Sequence, residues 1–290
     1  MRRRLIGLLF ALLATNASAR PEPGKGPLVI AHRGGPAQWP ENTLPAFEHS
    51  IQLGVEILEF DLNLTADDRV VVHHDTAVNE FICLADAKAG VTHAPLRALT
   101  LREAQTFDCG SRHPPKFPTQ QAVPGARMPS LEEVLMATRD SKVTFFGETK
   151  MPKEAAGPAV DPEVFAAKVA AAVVKHGVED RFILQSFDYR TIDAMRRINP
   201  RIRTCLLGMQ HHKPDYLSAV RRHQANCVVL GRSYANAADF KALQDAGVTV
   251  FSDVVDDASE WQAYAELGVD AIFTNDPVGL IEYLQRAGMR

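Results

Sequence analysis

Histidine, arginine and carboxylate residues recur in this chain at the ends of apolar runs. His32-Arg33-Gly34-Gly35 closes the first such run, Glu59-Phe60-Asp61 lies in the second, and Glu148-Thr149-Lys150 and Gln185-Ser186-Phe187 close later ones. Residues two apart on a strand project to one face, so Glu59 and Asp61 share a face with Phe60 turned away; Glu148 and Lys150 pair likewise. Like charges on one inward face are costly unless something positive lies between them. One divalent cation held by Glu59, Asp61 and Glu148 meets that need, and all-oxygen ligation favours Mg2+ or Ca2+ over zinc. Solvated strand ends with ordinary salt bridges to Arg33 and Lys150 are the alternative that the spacing leaves open.

Two histidines join this group. A turn at Asp67-Asp68 folds the chain back on itself and sets His74 roughly opposite Asp61, to within a residue. His32 comes to the same face from the first run. Two histidines flanking a metal and an arginine suit phosphoryl transfer, one removing a proton from the attacking oxygen and the other protonating the leaving oxygen. The metal and Arg33 would stabilise charge on the phosphoryl oxygens, and Gly34-Gly35 would let the backbone approach a ligand closely. His73, His93, His113, His176, His211, His212 and His223 read as structural, although His211-His212 falls near a strand's C-terminal side.

The elements that must position these side chains alternate between short apolar runs and helical patterns, as in a parallel sheet wrapped by helices. The strand candidates are Leu28–His32, Ile57–Leu64, Val70–His74, Val143–Glu148, Phe182–Ser186, Thr204–Leu207, Cys227–Leu230, Val248–Ser252 and Ala271–Thr274. Only Thr65 to Arg69 separates the second from the third, too few residues for a parallel crossover, so those two form an antiparallel hairpin. Removing the return strand leaves a TIM-type (β/α)8 barrel with one accessory hairpin strand, in which catalytic groups belong at the C-terminal strand ends. Helical patterns cover Thr43–Leu53 after Asn42 as a plausible N-cap, Ser130–Thr138 with a Ser130/Glu133 capping box, and Pro162–His176. Five more cover Tyr189–Ile198, Asp215–His223, Ala237–Asp245, Ala258–Leu267 and Val278–Ala287.

Residues 76–128 have no sustained periodicity beyond a short helical piece near Leu101–Phe107. A loop so long carries function or is disordered, and because it leaves directly after His74-Asp75 it reads as a cap over the site. Its Cys83 and Cys109 would staple it, whereas Cys205 and Cys227 sit in strand-like runs where buried free thiols are an equal alternative to a bond. Arg2-Arg3-Arg4, the apolar run Leu5 to Ala14 and Ala17-Ser18-Ala19 make residues 1–19 a cleavable signal peptide, too short in its apolar part to span a bilayer comfortably. Export to the periplasm or beyond follows, leaving residues 20–290 as one domain. The net charge of −3 offers no basic surface for nucleic acid. Nothing suggests stable membrane insertion, and the oligomeric state is open.

These residues resemble the glycerophosphodiester phosphodiesterase family, and the insertion, with Phe107-Asp108-Cys109-Gly110 and Val123-Pro124-Gly125-Ala126-Arg127, resembles its exported bacterial branch. The resemblance rests on His32-Arg33-Gly34, Pro40-Glu41-Asn42-Thr43, Glu59-x-Asp61 and Val72-His73-His74-Asp75. It continues in Glu148-x-Lys150, Gln185-Ser186-Phe187 and Phe273-Thr274-Asn275-Asp276-Pro277. It implies His32 and His74 as the general acid/base pair, Glu59, Asp61 and Glu148 as ligands of Mg2+ or Ca2+, and Arg33 and Lys150 as phosphate contacts. The implied reaction cleaves a small-molecule glycerophosphodiester into sn-glycerol 3-phosphate and an alcohol, with the glycerol 2-hydroxyl as the first nucleophile and a cyclic phosphate that water then opens. Two stretches depart from the family pattern, Thr76–Leu84 and Phe251-Ser252-Asp253-Val254, and both bear on substrate preference.

Two rival readings remain at this level. A phospholipase D-like or phosphoinositide-cleaving enzyme on the same barrel needs a membrane-facing apolar loop, and residues 76–128 are too proline-rich and charged for one. A non-catalytic exported binding protein for phosphorylated alcohols would have no use for both histidines.

Overall fold

The computed structural model describes residues 21, 25–85, 93–152 and 159–290; the expected signal peptide lies outside them. The described residues form nine strands: β1 (Leu28–Ala31), β2 (Ile57–Leu64), β3 (Val70–Val72), β4 (Thr144–Thr149), β5 (Phe182–Ser186), β6 (Arg203–Leu206), β7 (Cys227–Leu230), β8 (Thr249–Val254) and β9 (Ala271–Thr274). The sheet runs β1-β9-β8-β7-β6-β5-β4-β2-β3, and a β1–β2 pairing closes it. Eight strands are therefore a parallel barrel, and β3 is the antiparallel return of β2. This is the expected TIM-type architecture with its accessory hairpin strand.

Each parallel strand is followed by a helix. These are α1 (Leu44–Leu53), α3 (Leu131–Ala137), α4 (Pro162–Lys175), α5 (Tyr189–Ile198), α6 (Tyr216–His223), α7 (Ala237–Asp245), α8 (Ala258–Glu266) and α9 (Pro277–Arg286), with the one-turn α2 (Leu101–Ala104) in the insertion. The Ser130/Glu133 capping box is formed at α3, each side chain bonding the other's backbone N–H. At α1 the cap is Thr43, whose hydroxyl accepts from Ala46 N, rather than Asn42. Asn42 has φ 57°, a left-handed conformation that Asn tolerates better than most residues, and its amide is committed to the site described below.

Two apolar layers hold the barrel. The lumen is filled by Ile30, Ile57, Phe146, Ile183, Phe251 and Phe273, among others, and the outer layer lies between strands and helices. Phe60 belongs to the outer layer, its ring 5.8 Å from Phe47, 6.2 Å from Phe182 and 6.4 Å from Phe145. Full burial of such a ring stabilises by roughly 2–3 kcal/mol. Strand alternation then obliges its neighbours Glu59 and Asp61 to face the lumen, so the packing of Phe60 offsets part of the cost of burying two carboxylates.

The described residues of the insertion form a cap with its own small core of Val78, Cys83, Leu96, Ala104, Phe107, Cys109 and Met128, packed on Val71 of β3. The Cys83–Cys109 disulfide is present. The cap also reaches the loop after β1, where Gln120 Nε2 donates to Pro36 O at 2.7 Å and Gln121 N to Gln38 O at 2.8 Å. Cys205 and Cys227 are register partners on β6 and β7, buried in the lumen as free thiols.

Candidate active site

The hairpin explains how two histidines from different strands meet. β1 pairs with β2 only as far as Ala31↔Leu58, and β3 takes up the same edge from Val72↔Leu62. Between them Glu59, Phe60 and Asp61 have no strand partner on that side. Arg33 N fills one end of the gap by donating to Glu59 Oε2 at 2.8 Å, and His73 N fills the other by donating to Asp61 O at 3.0 Å. His32 and His74 therefore approach one stretch of β2 from opposite directions. The expected register is off by one: His73, buried, stands opposite Asp61, and His74 follows it.

The three proposed ligands converge. One ligand atom from each of Glu59, Asp61 and Glu148 lies within 4.8 Å of the others. Glu59 and Asp61 are 1% and 0% exposed, so water does little to separate their charges. Glu59 Oε1 accepts from Gln185 Nε2 at 2.9 Å, and Asp61 Oδ2 accepts from Asn42 Nδ2 at 2.8 Å, while Asp61 N donates back to Asn42 Oδ1 at 3.1 Å. Lys150 Nζ lies 2.7 Å from Glu148 Oε1 and 3.1 Å from Asp61 Oδ1; Arg33 Nε lies 3.3 Å from Asp61 Oδ2, and Arg33 Nη1 3.0 Å from Glu41 Oε1.

Four carboxylates thus face two fixed cations. Burial raises the Glu59 carboxyl well above its usual range, and the charges of Asp61 and Glu148 raise it further. Burial likewise raises Glu148 against the pull of Lys150. Burial opposes Asp61 too, but Lys150 and Arg33 hold that carboxyl below the usual range. The donor set is all oxygen, and with Glu41 the four carboxylates, when ionised, are two positive charges short of neutral. Asp61 Oδ1 accepts no well-aligned hydrogen bond and meets only the Lys150 ammonium. These residues fit a divalent cation.

His32 and Arg33 form a single 3-10 turn after β1, with Arg33 at φ 51°, a left-handed conformation costly for a side chain of this size and characteristic of sites where geometry overrides local preference. His32 Nδ1 lies 2.7 Å from Asn275 Oδ1, and Asn275 Nδ2 donates to Asp256 Oδ2 at 2.7 Å. Because Asp256 requires a donor, the Asn275 oxygen must face His32, so Nδ1 carries the proton and Nε2 is free to accept one. Burial, and then the Arg33 charge, lower the His32 pKa to about 3. His74 Nδ1 lies 2.9 Å from Asp75 Oδ1.

Gly34 and Gly35 are tightly packed. Both have positive φ, and an added Cβ would meet Phe47 Cδ1 at 2.9 Å and Pro277 Cγ at 2.7 Å respectively. A cavity of about 880 Å³ opens beside Glu148 and Lys150, walled by Phe187, Tyr189, Gly208 and His212. His211-His212 therefore lines this cavity, with the His212 ring stacked 5.3 Å from Tyr189. A smaller cavity of about 660 Å³ lies at the opposite end of the barrel, away from the carboxylates.

All seven residues expected from the sequence gather at the C-terminal strand ends. Asn42, Asn275, Asp256, Gln185 and Asp75 support them; none has an expected role in the site from the sequence, where Asn42 reads only as a helix cap. Asn42 and Asn275 lie inside motifs already noted, which was the available signal.

A closed parallel barrel with histidines, cations and carboxylates gathered at its C-terminal strand ends has the layout of a barrel enzyme. The model of the glycerophosphoryl diester phosphodiesterase family matches residues 32–278, and the chain belongs to this family of phosphoric diester hydrolases. A glycerophosphodiester phosphodiesterase of Caldanaerobacter subterraneus is 28% identical over 263 residues, 90% of this chain and 99% of its own length. That of Bacillus subtilis is 25% identical over 258 residues, 86% of this chain and 84% of its own. An Oleispira antarctica phosphodiesterase, solved in complex with the product sn-glycerol-3-phosphate, shares the fold at a TM-score of 0.75 and 21% identity, over 90% of this chain and 97% of that one. No helix among the described residues is long and apolar enough to cross a membrane.

Proposed function

We propose that this enzyme hydrolyses glycerophosphodiesters to sn-glycerol 3-phosphate and an alcohol, using His32 and His74 as proton carriers and one divalent cation, Mg2+ or Ca2+, held by Glu59, Asp61 and Glu148. The observation that carries the reading is the convergence of those three carboxylates within 4.8 Å on the stretch of β2 that both histidines flank. A cation bound there would supply positive charge against the phosphoryl oxygens. Arg33 and Lys150, already held at the carboxylates, would exchange part of that pairing for the substrate phosphate, Arg33 through its planar fork and Lys150 as a point charge.

His32 is suited to be the base, because the Asn275 oxygen fixes its proton on Nδ1 and leaves Nε2 to accept one. It takes the proton of the attacking hydroxyl as the new P–O bond forms. His74 gives its proton to the alcohol oxygen as the old P–O bond breaks. If the attacking oxygen is the glycerol 2-hydroxyl, the product of this step is a cyclic phosphate, which water opens with the two roles reversed. The Oleispira phosphodiesterase was solved with the product sn-glycerol-3-phosphate bound, the product proposed for this enzyme. The amino-terminal pattern supports export through a cleaved signal peptide, with the enzyme acting in the periplasm or outside the cell.

The test is a panel of glycerophosphodiesters incubated with purified enzyme, with Mg2+ or Ca2+ supplied. Release of sn-glycerol 3-phosphate from glycerophosphocholine is expected; release of phosphocholine instead would refute the assigned cleavage.

A further inference from the structure

His74 is held from outside the barrel. Its partner Asp75 has both carboxylate oxygens engaged, Oδ1 with His74 Nδ1 at 2.9 Å and Oδ2 with Asn79 Nδ2 at 2.7 Å. Asn79 belongs to the cap. Its side-chain oxygen accepts from Phe81 N at 2.9 Å, so its amide must turn its Nδ2 donor toward Asp75. Its carbonyl accepts from Ile82 N at 3.2 Å and from Cys83 N at 2.8 Å, closing a tight turn. Cys83 is bonded to Cys109, whose N–H donates to Ala126 O at 2.7 Å, and both cysteines are buried in the cap's core.

The His74 and Asp75 side chains are 33% and 41% exposed. Left to solvent, a carboxylate so exposed would exchange the imidazole for water, and the ring would lose its orientation. The contact that prevents this comes from a turn tied to the disulfide two bonds further on. We propose that Asn79 is a positioning residue for His74, and that the Cys83–Cys109 bond supports catalysis by holding the Asn79 turn against Asp75. This rests on the reading of His74 as a proton carrier. It makes turnover depend on the oxidation state of a disulfide outside the catalytic centre.

The test compares kcat and KM on glycerophosphocholine, with thermal midpoints, for Asn79→Ala, Asn79→Asp, Cys83→Ser/Cys109→Ser, their combination, and His74→Ala. Aspartate preserves the acceptor for Phe81 N, and hence the turn, but sets a carboxylate against Asp75. Both Asn79 variants should lower kcat roughly 10-fold or more, the usual cost of losing a group that orients a working histidine, at nearly unchanged KM. The serine pair should lower kcat similarly and add less than about twofold in the Asn79→Ala background, because the two changes act through one contact. Wild-type kcat in either Asn79 variant would overturn the proposal, as would full multiplication of the two effects. Should the serine pair fail to fold, the Asn79 variants decide alone. Persistent turnover in His74→Ala would instead refute the role of His74 itself, a result distinct from normal Asn79 variants in an enzyme that His74→Ala inactivates.

Discussion

Glu59→Gln should stabilise the protein in chelator and abolish its response to divalent cations. Glu59 is buried within 4.8 Å of Asp61 and Glu148. At an effective dielectric of about 20, each such like-charge pair costs roughly 3–4 kcal/mol when both members are ionised. The loss of attraction to Arg33 offsets part of the relief. A net gain on the order of 1–3 kcal/mol remains, in the range seen when buried charges are replaced by neutral groups of similar shape. Glutamine can still accept from Arg33 N and donate to Gln185 Oε1 after that amide flips, but the flip moves Gln185 Nε2 to where its unpartnered Oε1 lies, which offsets a further part of the gain. At roughly 2–4 °C per kcal/mol for a domain of this size, the variant should melt several degrees above wild type in EDTA. Wild type should gain about 2.7 kcal/mol from cation at a hundred times its dissociation constant, and the variant close to nothing. Scanning calorimetry with and without Mg2+ or Ca2+ measures both. A variant that is less stable in EDTA and still shifts with cation would refute the assignment of the trio and the electrostatic argument behind it.

His32→Ala and His74→Ala should each lower turnover by roughly 10²–10⁴, measured as alcohol release with cation saturating; wild-type turnover in either would remove that histidine from the mechanism. Asn42→Ala frees the Asp61 carboxylate and loses a side chain suited to the left-handed backbone, so the cation concentration for half-maximal activity should rise roughly 10–100-fold, read from a metal titration of activity. His73 is buried, and burial, partly opposed by the Asp75 charge, lowers its pKa from 6.5 to about 4. Within that window the unfolded chain takes up a proton that the folded one refuses, so stability falls as pH drops through it, by roughly 1.6 kcal/mol between pH 6.5 and pH 5. Urea unfolding of wild type and His73→Leu at those two pH values should show a smaller loss in the variant; equal losses would contradict it.

The barrel was legible in the sequence because each strand and helix carries its own local signal. The five-residue span from Thr65 to Arg69 could only be a hairpin, and that one deduction separated the accessory strand from the eight of the barrel. The shared faces of Glu59 with Asp61 and of Glu148 with Lys150 were legible for a related reason: alternation along β2 and β4 fixes which side chains lie together. Long-range partners were not. Gln185 supports Glu59 across 126 residues and Asn275 orients His32 across 243, pairings that exist only once the sheet has closed. Asn42 has the composition of a helix cap, and propensity alone gave no sign that its amide would be claimed by Asp61, leaving Thr43 to cap the helix. The insertion looked irregular because its order comes from one disulfide, a one-turn helix and a small core, none of which produces a period. The one-residue register difference at His73 follows from the pairing Leu62↔Val72; β3 ends at Val72, so His74 lies beyond the strand, its ring bonded to Asp75.

The central claim is that Glu59, Asp61 and Glu148 hold a cation on which phosphodiester cleavage depends. The direct measurement follows glycerophosphocholine by phosphorus NMR with purified enzyme, first after exhaustive treatment with EDTA and then after adding back Mg2+ or Ca2+. The account predicts no hydrolysis in chelator and sn-glycerol 3-phosphate with free choline once cation is restored. Undiminished hydrolysis in excess EDTA would contradict it.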